Sequence, residues 1–146
     1  MSIVSALQHY LQSYPGMALC PLSAIFTDIA QALPSSYALA PAGGEAKRYV
    51  TGEVEYTNQY IFFALESAAD QPDRADNYDF LESFQAWIEE QEEHENYPVL
   101  PVPYTPRQIE AQTAQMYDVY DSGNALYQVQ IKFTFAKEAI EYGRDS

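Results

Sequence analysis

Ala125-Leu126-Tyr127-Gln128-Val129-Gln130-Ile131-Lys132-Phe133-Thr134-Phe135 is the stretch that decides the architecture. Ala125, Tyr127, Val129, Ile131, Phe133 and Phe135 alternate with Gln128, Gln130, Lys132 and Thr134, a period of two that sends the large apolar side chains to one face of a β-strand. That face is core, and the other is polar but uncharged over most of its length. Asp121-Ser122-Gly123-Asn124 supplies turn chemistry just upstream, and Thr113 to Tyr120 precedes the turn. The whole therefore reads as a C-terminal β-hairpin.

A second strand lies earlier. From Glu53 to Leu65 the side chains alternate, with Val54, Tyr56, Tyr60, Phe62 and Ala64 on one face and Glu53, Glu55, Thr57 and Gln59 on the other until Ile61, Phe63 and Leu65 take over. The first half is expected to be wet on one face and the second half buried on both. Lys47 to Val50 reads as a short strand, Pro41-Ala42-Gly43-Gly44 as a loop, and Ala24 to Thr27 and Tyr37 to Leu39 as further short strands with a turn at Pro34-Ser35-Ser36.

Two helices complete the pattern. Ile3, Leu7, Leu11 and Tyr14 recur behind Ser2, a good N-cap, and Pro15-Gly16 stops the run, so residues 2 to 14 form an amphipathic helix. Ala68 to Asp76, with Pro72, reads as a loop, and a helix then starts near Asp76 or Asn77. It shows Phe80, Phe84, Trp87, Ile88 and Gln91 at helical spacing opposite Glu82, Glu89 and Glu93. Its stripe is expected to pack on the sheet. Asp76 and Asp79 sit beside its positive end, and Glu89 to Glu95 crowd its negative end. Further on, Thr105-Pro106-Arg107-Gln108 has the spacing of an N-cap, a first-turn proline and a capping box, which predicts a short helix to Ala111. The tail from Lys137 to Ser146 reads as a frayed helical end. The fold expected is α+β: an antiparallel or mixed β-sheet packed by two main helices, with a C-terminal β-hairpin, in a single domain spanning residues 1 to 146.

A chain of 146 residues with 47% apolar and 14% aromatic side chains has the material for one core. Its 21 carboxylates against seven basic side chains give a net charge of −14, which repels a phosphate backbone. Between residues 66 and 95 eleven carboxylates face Arg74 alone, a local net of −10. Such a run is ordinarily a solvated helix face; its functional reading is a surface that meets a basic partner or lines a channel. Cys20 is the only cysteine, so no intrachain disulfide forms, and it reads as a small buried apolar residue. No Lys or Arg precedes Lys47, so a basic signal-peptide region is missing, and Pro21, Asp28 and Gln31 spoil the segment 17 to 33 as a membrane span. A soluble protein is expected.

No constellation of residues points to catalysis. Glu92-Glu93-His94-Glu95 gathers ligand types, but consecutive helical positions diverge instead of converging on a metal. His9 has no nucleophile or second histidine at a matching offset and reads as structural. No G-x-S-x-G elbow and no phosphate-cradling glycine loop occurs, Gly43-Gly44 being too short for one. The expectation is a non-enzymatic protein with no cofactor and no metal. What stands out instead is tyrosine, thirteen in all. Tyr56, Tyr60, Tyr117, Tyr120 and Tyr127 lie on or beside strands, where they serve either a subunit interface or the sheet's own cross-strand pairs. Lys47-Arg48, the only adjacent basic pair, is a further interface candidate.

Several segments taken in order resemble a known family. They are Ser36-Tyr37 to Leu39, Lys47-Arg48-Tyr49-Val50 with Gly52, Asn77 through Trp87-Ile88-Glu89-Glu90-Gln91, Thr105-Pro106 through Ile109-Glu110, and Tyr127-Gln128-Val129-Gln130. Together they resemble the small minor capsid proteins of siphophages and prophages of Gram-positive bacteria, which serve as tail terminators or head-tail joining proteins. The likeness thins over Met17 to Leu33. It implies a mixed α/β protomer that closes into a ring, commonly a hexamer, at the head-proximal end of the tail. Implied partners are further copies of itself, the tail tube protein and the head connector protein; DNA passes without specific binding and no membrane is involved. Implied location is the virion's head-tail junction, reached by assembly in the host cytoplasm. The competing expectation, from the charge alone, is a small acidic protein-binding module or inhibitor that engages a basic partner.

Overall fold

The strand read first lies at the heart of the sheet in the computed structural model, which describes residues 2–15, 19, 36–67, 71–112, 115–119 and 123–138. Among these residues the order of elements is α1 (Ile3–Leu11), β1 (Ser36–Arg48), β2 (Val54–Ser67), α2 (Gln71–Glu93), β3 (Tyr104–Ala111), β4 (Gln115–Val119) and β5 (Asn124–Lys137). One side of β5 pairs with β2, and β1 pairs with the far side of β2. Along the other side of β5, β3 lies opposite Ile131 to Lys137 and β4 opposite Ala125 to Gln128. The Gln112 N–H donates to the Gln130 carbonyl at 2.8 Å between them. Five strands thus occupy four ranks, all antiparallel, and the C-terminal hairpin stands as its alternation predicts.

Both helices cover the same face. Leu7, Tyr10 and Leu11 of α1 and Leu81, Phe84 and Ile88 of α2 join Tyr60, Phe62, Ala64, Ile109, Tyr127, Val129, Ile131, Phe133 and Phe135 in one buried cluster. Full burial of a side chain of this size contributes about 1.5–3 kcal/mol. Phe84 stacks on Phe62 with ring centroids 4.5 Å apart. A smaller cluster of Ala38, Phe63, Leu65 and Leu126 lies on the opposite face. This is why the second half of β2 is apolar on both sides. Ser2 caps α1 by accepting the Ser5 N–H at 3.1 Å, as its position suggested.

Several local expectations fail, among them the short strand expected over Lys47 to Val50: β1 runs from Ser36 and stops at Arg48, and a turn follows. Thr105-Pro106-Arg107-Gln108 begins no helix: it lies in β3, because pairing with β5 buries Ile109 in the core. A bulge between Pro106 and Gln108 in this outermost strand accommodates the proline. The loop expected over 71–76 is helical, and α2 starts at Gln71 with Pro72 in the first turn, where a missing N–H breaks no helical bond. Asn77 is therefore no cap; its side-chain amide turns inward and donates to the Tyr127 hydroxyl at 3.2 Å. Asp79 lies more than two turns from the helix start, beyond the reach of the dipole. Pro41 to Gly44 is no loop but the middle of β1, with a bulge between Pro41 and Gly43. Gly43 takes φ 115° there, a conformation that favours glycine, and a Cβ on Gly44 would press on the Asn58 side chain. Finally, Lys137 closes β5 instead of opening a helical tail. The expected strand at 24–27, the turn beginning at Pro34, Cys20 and the tail beyond Glu138 lie outside the described residues.

Candidate functional site

A sheet ends in two edge strands, and each presents backbone groups that must find partners. Here α2 lies along the β3 edge. Glu92 Oε2 accepts the Ile109 N–H at 3.0 Å, and the Gln85 side-chain amide donates to the Gln112 carbonyl. Two outward backbone groups of this edge are thereby satisfied by one helix.

Between α2 and β3 remains an open groove of about 380 Å³, lined by Glu89, Glu92, Glu93 and Glu110 with Ile109 and Ala111. Four carboxylates line it and, among the described residues, no cation does. Glu92 also acts on nearby phenols. Burial first, then the charges of Glu92 and Tyr97, raises the pKa of Tyr10, whose hydroxyl donates to the Asn96 carbonyl at 2.9 Å. Tyr97 is raised as well, by burial and by Glu92. Beyond the groove α2 ends with no basic residue in its last turn, and Glu95 takes φ 53° to turn the chain. The crowding of carboxylates at the helix's negative end is therefore real.

On the other edge Leu19 bridges Tyr37 near the start of β1, and along its outer half no described residue pairs with the strand. From Pro41 to Arg48 every residue of β1 is exposed, though each of these residues except Ala42 is in register with β2. Tyr49 to Gly52 close this arm, with the Gly52 N–H donating to the Tyr49 carbonyl at 2.9 Å. Val50 at its tip is fully exposed. Lys47 Nζ sits 5.2 Å from the centre of the Tyr49 ring. Arg107 and Glu53, at 2.6 Å, form the only ion pair among the described residues, so Lys47 and Arg48 have no carboxylate in contact. Register places Arg48, Val54, Lys137 and Tyr104 in one row across the sheet. Val99 and Val102, in the connector leading to Tyr104, are also highly exposed. On the helix-bearing face, beside α1, an open groove of about 500 Å³ is lined by residues that include Val4, Pro41, Gly44, Tyr56 and Tyr60.

The tyrosines named from the sequence divide. Tyr127 is fully buried, accepts a hydrogen bond from Asn77 and meets Tyr78 edge-on at 5.3 Å, so its ring serves the chain's own core and offers a neighbour no surface. Tyr60 is also buried; its hydroxyl accepts from the Asn58 amide at 3.1 Å, and burial raises its pKa. Tyr56 is half-buried, stacked on Phe135 at 5.2 Å and edge-on to Tyr104 at 6.0 Å. The side chain of Tyr117 and the whole of Tyr120 lie outside the described residues. Lys47 and Arg48 remain exposed on the arm, as an interface role requires.

Sequence reasoning missed Tyr104, the inward hydrogen bond of Asn77 to Tyr127 and the backbone-capping role of Glu92. It also counted Glu66 with the solvated acids, whereas Glu66 is buried and accepts the Tyr37 hydroxyl at 2.8 Å. Its position at the end of a run apolar on both faces was the available signal. Among the described residues no three of His, Cys, Asp or Glu are grouped to hold a metal, and no helix is long and apolar enough to cross a membrane. No protein-family model matches the chain, and no curated protein matches it.

Proposed function

We propose that this is a virion structural protein of a tailed phage, a tail terminator or head-tail joining subunit that closes into a ring with copies of itself. The observation that carries the reading is the outer half of β1: eight consecutive exposed residues, Pro41 to Arg48, on an edge that no described residue covers there, followed by a turn with a fully exposed valine. Edges of this kind promote pairing with other chains unless they are covered, and a subunit that works by assembly has a use for one. A ring requires two different patches on each protomer that meet with rotational closure. The arm and the acidic groove are such a pair, differing in shape and in charge. In this reading the tail tube protein and the head connector are the axial partners, and the protein transforms no substrate. Some of the remaining carboxylates of α2, among them the exposed Asp79, Glu82 and Glu90, face the channel, where they repel the phosphates of passing DNA. The likeness of the segments quoted above to minor capsid proteins supports the same reading.

Light scattering and electron microscopy of the purified chain test it. A discrete ring-sized species, growing in with concentration, is expected, with some carboxylates of the acidic block on the lumen. A chain that stays monomeric at every concentration, alone and in the presence of tail tubes, overturns the proposal. A second reading is favoured by the groove's four carboxylates: a monomeric module that takes a basic protein there. It predicts one-to-one binding of a cationic partner with no self-association.

A further inference from the structure

The tip of the arm, Lys47 to Gly52, carries two cations and no carboxylate, and the acidic groove is lined by carboxylates without a described cation. Lys47 and Arg48 have no ion-pair partner among the described residues, and the same holds for Glu89, Glu93 and Glu110 of the groove. They cannot meet within one chain. β1 and β3 are separated by β2 and β5, three strand spacings or roughly 14 Å. That distance already exceeds the Debye length of about 8 Å at physiological salt. Register also offsets them along the strands: Lys47 shares a row with Glu55, Ala136 and Thr105, whereas the groove begins further along β3, at Ile109. Shape agrees with charge. The outer half of β1 is exposed and the turn that follows Arg48 carries the fully exposed Val50, while the groove is open and has Ile109 and Ala111 between its carboxylates.

We infer that the arm tip, Lys47 to Gly52, seats in the groove between α2 and β3 of the next subunit, with Lys47 and Arg48 against Glu89, Glu93 and Glu110 and Val50 against the half-buried Ala111. This contact rests on the self-assembly proposed above and specifies its interface. It is heterologous, because the arm of each subunit enters the groove of another while its own groove stays available, and repetition yields a ring or an open filament according to the closing angle. It also accounts for the charge distribution. Carboxylates at the negative end of a helix cost stability in a monomer, and cations from a neighbour offset that cost.

Complementary charge reversal in the full-length chain, read by sedimentation velocity, tests the contact. Two variants are needed, Lys47→Glu with Arg48→Glu, and Glu89→Lys with Glu93→Lys; Glu92 is left alone because it caps β3. All four positions are exposed, and circular dichroism checks that both variants fold. Each variant alone places like charges together and is expected to weaken assembly by about a hundredfold. An equimolar mixture restores opposite charges at every contact, so it is expected to recover wild-type-sized particles containing both variants in alternation. Wild-type assembly should also weaken as sodium chloride is raised. Either variant assembling as tightly as wild type, a mixture that does not recover, or salt-insensitive assembly overturns this contact while leaving self-assembly standing. A wild-type chain that never assembles overturns both.

Discussion

The two edges of the sheet have been treated in opposite ways. Along β3, a helix of 23 residues has side chains aimed at the backbone, Glu92 to the Ile109 N–H and Gln85 to the Gln112 carbonyl, so this edge is closed by the chain itself. Along the outer half of β1 no described side chain plays that part, and a bulge with two glycines extends the strand instead of ending it. Natural sheets blunt edges they do not use. A fold that caps one edge and extends the other divides its surface into a part that holds the monomer together and a part that is free to meet other chains.

The sharpest contrast should appear in stability. Phe84 is fully buried, stacks on Phe62 and meets Tyr14 edge-on at 5.5 Å, so it fixes α2 over the sheet. Phe84→Ala should cost about 3–5 kcal/mol in urea unfolding, and the loosened helix should release the β3 edge, seen as faster amide exchange at Ile109. A loss below about 1 kcal/mol would mean that α2 is not what holds the covered side together.

That contrast also marks what could be read in advance. Periodicity found β5, β2, α1 and the stripe of α2 because each is long enough for its burial pattern to dominate its local chemistry. Where local signals were strong and the segment itself has no alternation of buried side chains, they misled. Thr105-Pro106-Gln108 has every feature of a helix start, yet the burial of Ile109 against β5 wins. Pro41-Ala42-Gly43-Gly44 has loop composition, yet pairing with β2 carries the strand through it. Tyr127 was open to either reading, since a tyrosine beside a strand looks the same in sequence whether it faces a partner or a buried asparagine. The capping of the β3 edge by Glu92 was not legible at all, because it joins residues 17 apart through a side-chain-to-backbone bond that leaves no periodic trace.

Alkali probes both sides of the molecule together. Tyr10, beside Glu92 on the covered side, and Tyr60, beside the arm groove, both have raised pKa values in the folded chain, mainly from burial. In the unfolded chain they ionise near pH 10. Their stabilising effect is therefore complete below that pH and is lost as pH rises above it, by about 1.4 kcal/mol per pH unit for each tyrosine until the folded phenols ionise too. Urea melts across that range should show the decline, and Tyr10→Phe should make it shallower. A flat profile would place both phenols in contact with solvent.

Glu92 separates edge capping from packing. Glu92→Ala removes the acceptor of the Ile109 N–H and should cost about 1 kcal/mol, with amide exchange accelerating at Ile109 more than at Phe133 on the neighbouring strand. Uniform acceleration would show that Glu92 supports the helix as a whole instead of sealing the edge.

The smallest effect on the fold belongs to the arm tip. Val50 is fully exposed and contributes no packing to the monomer, so Val50→Ser should change unfolding free energy by no more than about 0.5 kcal/mol in dilute solution. If the tip instead meets a neighbour's groove, the same substitution lowers the melting temperature at high protein concentration, where assembly stabilises the folded chain by mass action. An effect of equal size at both concentrations would show that Val50 acts within its own chain, and the division of labour between the two edges would fail at its most exposed point.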